Sequence, residues 1–559
     1  MLVTGSMRSR LSLLALMVLY AALPATAGAA PVPAGADWSE ATIPSSNGVK
    51  LHADVLRPSG LPADAKTPVI LSIGPYFNHS GQTGPAGPVE DTSYDPVGPS
   101  EGPSDRFLDF IDGAKLMERG YTYVMVDLRG FGGSNGCLDW AGPGEQSDVV
   151  NAVQWAASQP WSTGKVGMYG KSYDGVTGLI GVNHRPPGLA AVVSQEPVYD
   201  LYRYLYGDGI RRLNSLLTPA LYDLIDLTPG PALHDPNYNL NGLDDTQRPG
   251  CPALNLSDQG GNDDHYSDYW RQRNLIPGAA GSDVPLFLTQ GLTENNTVAD
   301  GTAQYLQNHT GYERAWLGPW EHVRGNETDE TGRLKMGRAG WFDEVMRFYD
   351  RFLKGTTPAV EDPPVAVQTN DGTWRAEQRW PPADASDFTT ALRPGTYADD
   401  GTASKTDANG VWTISKPLAH DVHLSGSGKA LIDVSAALPR ANLVVDVYDL
   451  DENGTAPLIT RQGHLVRSSG PIAMDLWSAD WKLAAGHRIG VRVTDANSDW
   501  WLHAPTKQTV TVNGGSITLP FLPAPHTDTI AGDPGTQLSS YLGEQVTAPA
   551  TPETEFSLP

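Results

Sequence analysis

The hydrophobic period changes once along this chain, and that change limits the fold more than any other feature. Up to about residue 358 the apolar residues come in short unbroken runs. These are Val69 to Ile73, Tyr121 to Val126, Val166 to Tyr169, Ala190 to Val193, Val284 to Leu288 and Ala315 to Leu317, each followed by a loop and a helix-like stretch. Such runs read as strands buried on both faces, and their alternation with helices predicts a mostly parallel α/β sheet. From about Pro363 the period is two: Leu443, Val445 and Val447 alternate with Val444, Asp446 and Tyr448, and Ile489, Val491 and Val493 with Arg488, Arg492 and Thr494. Half-buried antiparallel strands have that period, so a C-terminal β-sandwich or jelly roll is expected. Val510 and Val512 read as joined to Ile517 and Leu519 by a hairpin at Asn513-Gly514-Gly515.

Smaller signals place the remaining parts. Trp38 to Pro58 alternates around Asn47-Gly48, which predicts an opening hairpin of two edge strands. A helix is specified by Ser147 as its cap, Asp148 in its first turn, Val149, Val153 and Ala156 on one face and Pro160 as its stop. Between Tyr199 and Gly281 leucines and tyrosines recur at helical spacing, from Leu201, Tyr204 and Leu205 to Leu221, Leu224 and Ile225, and predict an inserted helical cap. The long Gly- and Pro-rich loop from Gly74 to Asp105 interrupts the sheet, and the tail after Pro523 has the composition of a surface-wrapping segment.

Arg8 and Arg10 precede an apolar run from Leu11 to Leu23, followed by Ala25, Thr26 and Ala27, the order of a cleavable secretory signal. The expected division is a signal peptide at 1–27, an α/β domain at 31–198 and 282–358, the cap at 199–281 and the β-domain at 359–559. No later segment reaches the roughly 20 apolar residues of a spanning helix, so an integral membrane segment is not expected. Export makes a bridge between Cys137 and Cys251 the expected state, with two free thiols as the alternative. With 39 basic against 64 acidic residues the net charge is −25, which argues against a nucleic-acid partner. Two cysteines exclude a four-thiolate metal site. His420 and His423 have no third ligand nearby, and Asp449 to Gly454 lacks the glutamate that would close a calcium loop, so no metal is expected.

The segment that carries chemistry is Val166-Gly-Met-Tyr-Gly-Lys-Ser-Tyr-Asp-Gly175. A buried strand runs through Gly170-Lys171-Ser172-Tyr173 into a helix-like stretch, the context of a nucleophile elbow. Ser172 would stand at a helix N-terminus, where the Tyr173 amide can donate to a developing oxyanion. The strict G-x-S-x-G pattern is not met, because Gly175 lies three after the serine. A phosphate-binding loop is excluded because Lys165 stands where its first glycine is needed. A serine nucleophile needs a base and an orienting acid, and after a nucleophile elbow of the α/β-hydrolase kind these follow the serine in the chain order acid, then histidine. Glu294 follows the run Val284 to Gly291 and His322 follows the next strand, so both lie just past strand C-termini, where ligands bind in open parallel sheets. Asp283 and Asp300 compete weakly with Glu294.

Together these residues, with Asp127-Leu-Arg-Gly-Phe-Gly-Gly-Ser134, Gly318-Pro-Trp-Glu-His322 and Pro363-Pro364…Trp374…Trp380-Pro-Pro382, make a chain that resembles the cocaine esterase, α-amino-acid ester hydrolase and X-prolyl dipeptidyl-peptidase superfamily. The resemblance implies an α/β-hydrolase fold with an inserted helical cap, followed by an all-β jelly-roll domain. It implies Ser172 as nucleophile, His322 as base and Glu294 as acid, where the family usually has Asp, and Tyr76 in Ile73-Gly-Pro-Tyr76 as a second oxyanion donor beside the Tyr173 amide. No cofactor is implied. An ion pair between Asp127 and Arg129 is expected to be structural. Trp320, Tyr202, Tyr206 and Trp270 are candidate pocket walls, and Glu196, Asp200 and Asp208 are candidates to bind a substrate ammonium group. The substrate expected is a small ester or short peptide: an X-prolyl dipeptidyl-peptidase-like activity leads, an esterase or acylase is the alternative, and a catalytically inactive secreted binding protein the second alternative.

Overall fold

The computed structural model describes residues 32–77, 102–226, 251–402, 409–452, 455–497, 500–543, 545–547 and 555–558. The expected signal peptide at 1–27, most of the Gly74 to Asp105 loop and the stretch around His234 lie outside the described residues. The chain divides into two compact units, one of residues 1–193, 218–258 and 342–358, the other of residues 194–217, 259–341 and 359–559.

The first unit is built on β1 (Ala36–Pro44), β2 (Lys50–Pro58), β3 (Thr67–Gly74), β4 (Thr122–Asp127), β5 (Ser162–Lys171) and β6 (Leu189–Gln195), in the order β1-β2-β4-β3-β5-β6. β1 and β2 pair antiparallel from Ala36↔Pro58 to Pro44↔Lys50. The loop runs from Ser45 to Val49 between the last pair Pro44↔Lys50, three residues longer than the Asn47-Gly48 reading, and its Ser46–Gly48 segment forms a 3₁₀ turn. Of these two strands β1 alone lies at an edge, since β2 also pairs with β4. β3 runs parallel to β4 and β5, and every residue of β3 and β4 is buried, which is what unbroken apolar runs require.

The helices of this unit are α1 (Leu108–Gly113), α2 (Pro143–Ser158) and α3 (Tyr173–His184). α2 starts one turn before the expected Ser147 cap, with Gly142 as its N-cap and Pro143 in its first turn, and it buries Val149, Ala152, Val153 and Ala156. Proline at the first helical position needs no amide partner, so the earlier start loses no hydrogen bond. Arg129 does not pair with Asp127. Its guanidinium holds Asp148 at 2.7 Å and 2.8 Å, while Asp127 accepts from His52 at 3.0 Å and from the Gly133 amide at 3.2 Å.

The cap region is not purely helical. After α4 (Leu201–Leu205) a two-residue ribbon forms, β7 (Tyr206–Gly207) against β8 (Ile210–Arg211), and then α5 (Asn214–Asp226), α6 (Cys251–Gly261) and α7 (Asp268–Arg271) follow. Asp208-Gly209 makes the ribbon turn, with both residues at positive φ. Cys137 and Cys251 form a disulfide with Cα atoms 6.1 Å apart, and Asn255 donates to Leu138 O beside it.

The second unit contains β9 (Leu286–Gly291), β10 (Glu313–Gly318) and β11 (Val365–Gln368), all parallel, and β12 (Trp374–Glu377) antiparallel to β11. Residues 365–377 thus continue the sheet of β9 and β10, β11 parallel and β12 antiparallel, rather than open the β-domain. The antiparallel sheets start at β13 (Ser386–Leu392). One sheet contains β13, β14 (Gly395–Ala398), β16 (Val422–Ala436), β19 (Gly470–Leu483) and β21 (Thr509–Phe521). The other contains β15 (Val411–Ser415), β17 (Ala441–Leu450), β18 (Thr455–Val466) and β20 (Arg488–Thr494). Their alternating residues meet in one core that includes Ile432, Val434, Leu443, Val445, Val447, Val491 and Val512.

The expected hairpin at Asn513-Gly514-Gly515 is absent, and β21 is one strand. Both flanks pair with β16, Asp433 with Gly514 and Val434 with Val512, so the extra residue is a bulge that Gly514 accommodates at φ +137°. The tail wraps the sandwich: β22 (Gln545–Thr547) pairs with β18 and β23 (Glu555–Phe556) with β15. No helix of the described residues is long and apolar enough to cross a membrane.

Candidate active site

Ser172 stands between β5 and α3 at φ 65° and ψ −124°, a conformation that a non-glycine residue adopts only when its surroundings hold it. Gly170 is required there, because a Cβ would lie 2.2 Å from Asp174 O. Asp174 occupies the position where a strict elbow has its second glycine. Space for it comes from Gly74, whose Cβ would collide with Asp174 Oδ1. Its charge is met by Arg106, which donates from Nε at 2.6 Å. The departure from G-x-S-x-G is therefore compensated by a glycine and an arginine far away in the sequence.

Arg106 also stacks on the Tyr76 ring, with its guanidinium carbon 3.9 Å from the ring centroid. One cation thus fixes both the elbow and the candidate oxyanion phenol. Tyr76 is half-buried and its hydroxyl bonds that of Tyr222, a residue of α5. The Tyr222 ring packs against Tyr173 and Trp140 at 5.3 Å and 5.2 Å between centroids. Tyr173, whose amide is the other candidate donor, is anchored by its own hydroxyl, which donates to Glu145 at 2.7 Å and accepts from the Ala141 amide at 3.0 Å. Burial, helped by the nearby Asp139 charge, pushes the Glu145 carboxyl up to about 7. No local signal in the sequence marks Arg106, Glu145 or Tyr222, because each acts across a long sequence separation.

On the acid–base side, Glu294 Oε1 lies 2.5 Å from His322 Nδ1. Glu294 is wholly buried and also accepts from the Thr297 amide at 3.0 Å, the Thr297 hydroxyl at 2.7 Å and Gln290 Nε2 at 3.0 Å. Burial alone would raise its carboxyl, but the His322 charge and these hydrogen bonds outweigh it and hold Glu294 ionised, below the usual carboxylate range. The two loops that follow β9 and β10 are fastened to each other. Leu292 donates to Gly318 O at 2.7 Å, Thr293 to Trp320 O at 3.2 Å, and Gly291 leaves room where a Cβ would lie 2.1 Å from Trp320 O. Asp300, a competitor for the acid role, instead pairs with Arg203 at 2.7 Å.

Several expected substrate contacts are packing groups. Trp320, Tyr202, Tyr206 and Trp270 are at most 1 % exposed and present no surface for a pocket wall. Trp320 stacks on Trp374, and Tyr202, Tyr206 and Trp270 pack together, each with its polar atom bonded to a backbone oxygen of residues 259–263. The three carboxylates also have internal partners. Glu196 is fully buried among donors from 289–291 and 320, and Asp200 caps α4 and bonds His265 at 2.8 Å. Asp208 pairs with His464 at 2.8 Å. His423 bonds Asp480 at 3.0 Å within the β-domain, and Asp449 bonds Trp481 and His487.

A strained serine between strand and helix, a buried carboxylate–histidine pair past two parallel strand ends and a following antiparallel β-domain define a hydrolase of the α/β-hydrolase class. Residues 47–324 match the X-Pro dipeptidyl-peptidase family (S15 family), and residues 358–539 match the X-Pro dipeptidyl-peptidase C-terminal non-catalytic domain. The chain belongs to the superfamily of X-Pro dipeptidyl-peptidases, cocaine esterase and α-amino-acid ester hydrolases. It is similar to a Streptomyces avermitilis protein named as an Xaa-Pro dipeptidyl-peptidase, 25% identical over 72% of this chain and 61% of that one. The chain thus spans less than two thirds of that relative. It is 26% identical to cocaine esterase of Rhodococcus over 67% of this chain and 65% of the other. In fold it matches the crystal structure of a CocE/NonD family hydrolase from Staphylococcus aureus, with a TM-score of 0.67 at 16% identity, covering 90% of this chain and 99% of that one.

Proposed function

We propose that this protein is an exported serine hydrolase of the X-prolyl dipeptidyl-peptidase type that works through an acyl-enzyme. His322 takes the proton of Ser172 as the hydroxyl oxygen attacks a carbonyl carbon, Glu294 holds the imidazole and balances its charge, and Tyr76 with the Tyr173 amide binds the oxyanion. The imidazolium then gives its proton to the leaving amine or alcohol. Water repeats the sequence on the acyl-enzyme, releasing the acid and restoring Ser172. The 2.5 Å contact between Glu294 and His322, on adjacent parallel strand ends, is the observation that carries this reading. The order of residues 8–27 and the Cys137–Cys251 bridge support export.

One observation favours the esterase or acylase alternative. Glu196, Asp200 and Asp208, the carboxylates expected to hold a substrate ammonium group, are each engaged internally. A paired assay of the mature protein and Ser172→Ala on Ala-Pro-p-nitroanilide and p-nitrophenyl butyrate separates the readings. Anilide cleavage that depends on Ser172 is expected; ester cleavage alone would replace the peptidase reading with the esterase one.

A further inference from the structure

We propose that Glu196 is a positioning residue for the acyl transfer: its carboxyl ties the strand end before Glu294 to the segment before His322 and, through Gln290, fixes the orientation of the Glu294 carboxylate. The proposal rests on the reading of Glu294 and His322 as acid and base. Glu196 follows β6 directly, is completely buried, and sits at φ 46°, outside the conformations a glutamate ordinarily adopts. Its amide donates to Thr289 O at 2.9 Å, which fixes its backbone against β9.

The side chain serves both loops at once. Oε2 accepts from the Gly291 amide at 2.7 Å and from Gln290 Nε2 at 3.3 Å. Oε1 accepts from the Trp320 indole at 3.0 Å and the Thr289 hydroxyl at 3.1 Å. Gly291 lies three residues before Glu294 and Trp320 two before His322. Gln290 Nε2 in turn donates to Glu294 Oε2 at 3.0 Å, so Glu196, Gln290, Glu294 and His322 form one continuous buried chain.

The chemistry of the donors explains why a carboxyl stands there. The Gly291 amide and the Trp320 indole can only donate, and they face different oxygens. Both ends of the side chain must therefore accept. A carboxyl accepts at both oxygens whether or not it carries a proton, whereas a carboxamide turns an NH₂ toward one of these donors. Charge is consistent with this arrangement. Burial and then the neighbouring Glu294 hold the Glu196 carboxyl well above its ordinary range, whereas the Glu294 carboxyl is held below it.

The test uses Glu196→Gln and Gln290→Met in the full-length mature chain. The readings are kcat and KM on p-nitrophenyl butyrate and a thermal midpoint, with Ser172→Ala defining the background. Each single variant is expected to lower kcat by about 10- to 100-fold with KM within about twofold, the range seen when an outer hydrogen-bond partner of a functional group is removed. The double variant is expected to be no slower than the slower single, since both interrupt one chain. Should Glu196→Gln fail to fold, Gln290→Met alone carries the kcat-against-KM reading. Unchanged kcat in the folded single variants, or effects that multiply in the double, would overturn the role of Glu196 alone. Activity surviving in Ser172→Ala would overturn the triad and this proposal with it.

Discussion

The segment around the candidate nucleophile Ser172 and the Glu294–His322 pair are held in place by different physics. Ser172 is set by backbone strain, by glycines that admit close contacts, and by rings: Arg106 lies on Tyr76, and Tyr222 packs among Tyr173 and Trp140. Glu294 and His322 are set by buried hydrogen bonds: Gln290 and Thr297 donate to Glu294, and Gln290 links it to Glu196. A strained elbow leaves a local mark in sequence, because the chain needs small residues beside the serine. A hydrogen-bonded network leaves little, because its members come from separate strand ends.

The largest expected effects distinguish the two sides. Ser172→Ala should lower kcat by about 10⁶-fold, and Glu294→Gln, which keeps the volume but not the charge, by about 10⁴-fold, both read as initial rates on the same ester. If the glutamine variant were as slow as the alanine one, the acid would be doing more than orienting and balancing the imidazole. Next comes the oxyanion side: Tyr76→Phe removes one donor and should cost about 10²- to 10³-fold in kcat with little change in KM. Equal losses in kcat and 1/KM would instead make Tyr76 a binding group.

The strand–Ser172–helix junction, the pairing of Glu294 with His322 and the two-class fold were legible in the sequence for a physical reason. Unbroken apolar runs, period-two strands and a strand–Ser–helix junction are each decided by neighbours in the chain. Glu145, Arg106, Tyr222 and Glu196 were not legible in these roles, since each acts through contacts that only the folded chain creates. The Asn513-Gly514-Gly515 hairpin failed for the same reason: glycine permits a turn or a bulge equally, and pairing of both flanks with β16 decides between them. The aromatic residues expected to wall the pocket were read by type alone, and burial makes them core.

Stability effects come last and bear mainly on the nucleophile side. Cys137 and Cys251 are separated by 114 residues, so removing the bridge with paired serines should lower unfolding free energy by roughly 2–4 kcal/mol, measured by denaturant titration. His52 gives a smaller, pH-dependent effect. Burial would lower its pKa, but hydrogen bonds to Asp127 and Glu40 overcome that and raise it from 6.5 to about 9. Its charged form therefore stabilises the fold in full below about pH 6.5, and that contribution is lost as pH rises through about 9. The gap in thermal midpoint between wild type and His52→Gln should narrow by a few degrees between pH 6 and pH 9.5; a gap that widened would reverse the assignment of charge.

The central claim is that Ser172 becomes acylated with His322 as its base. Intact-protein and peptide mass spectrometry after brief exposure to a fluorophosphonate measures this most directly. A single adduct on Ser172 is expected in the wild type, with labelling at least about a hundredfold slower in folded His322→Ala and none in Ser172→Ala. An adduct on another residue, or labelling of Ser172 at the same rate without His322, would contradict it.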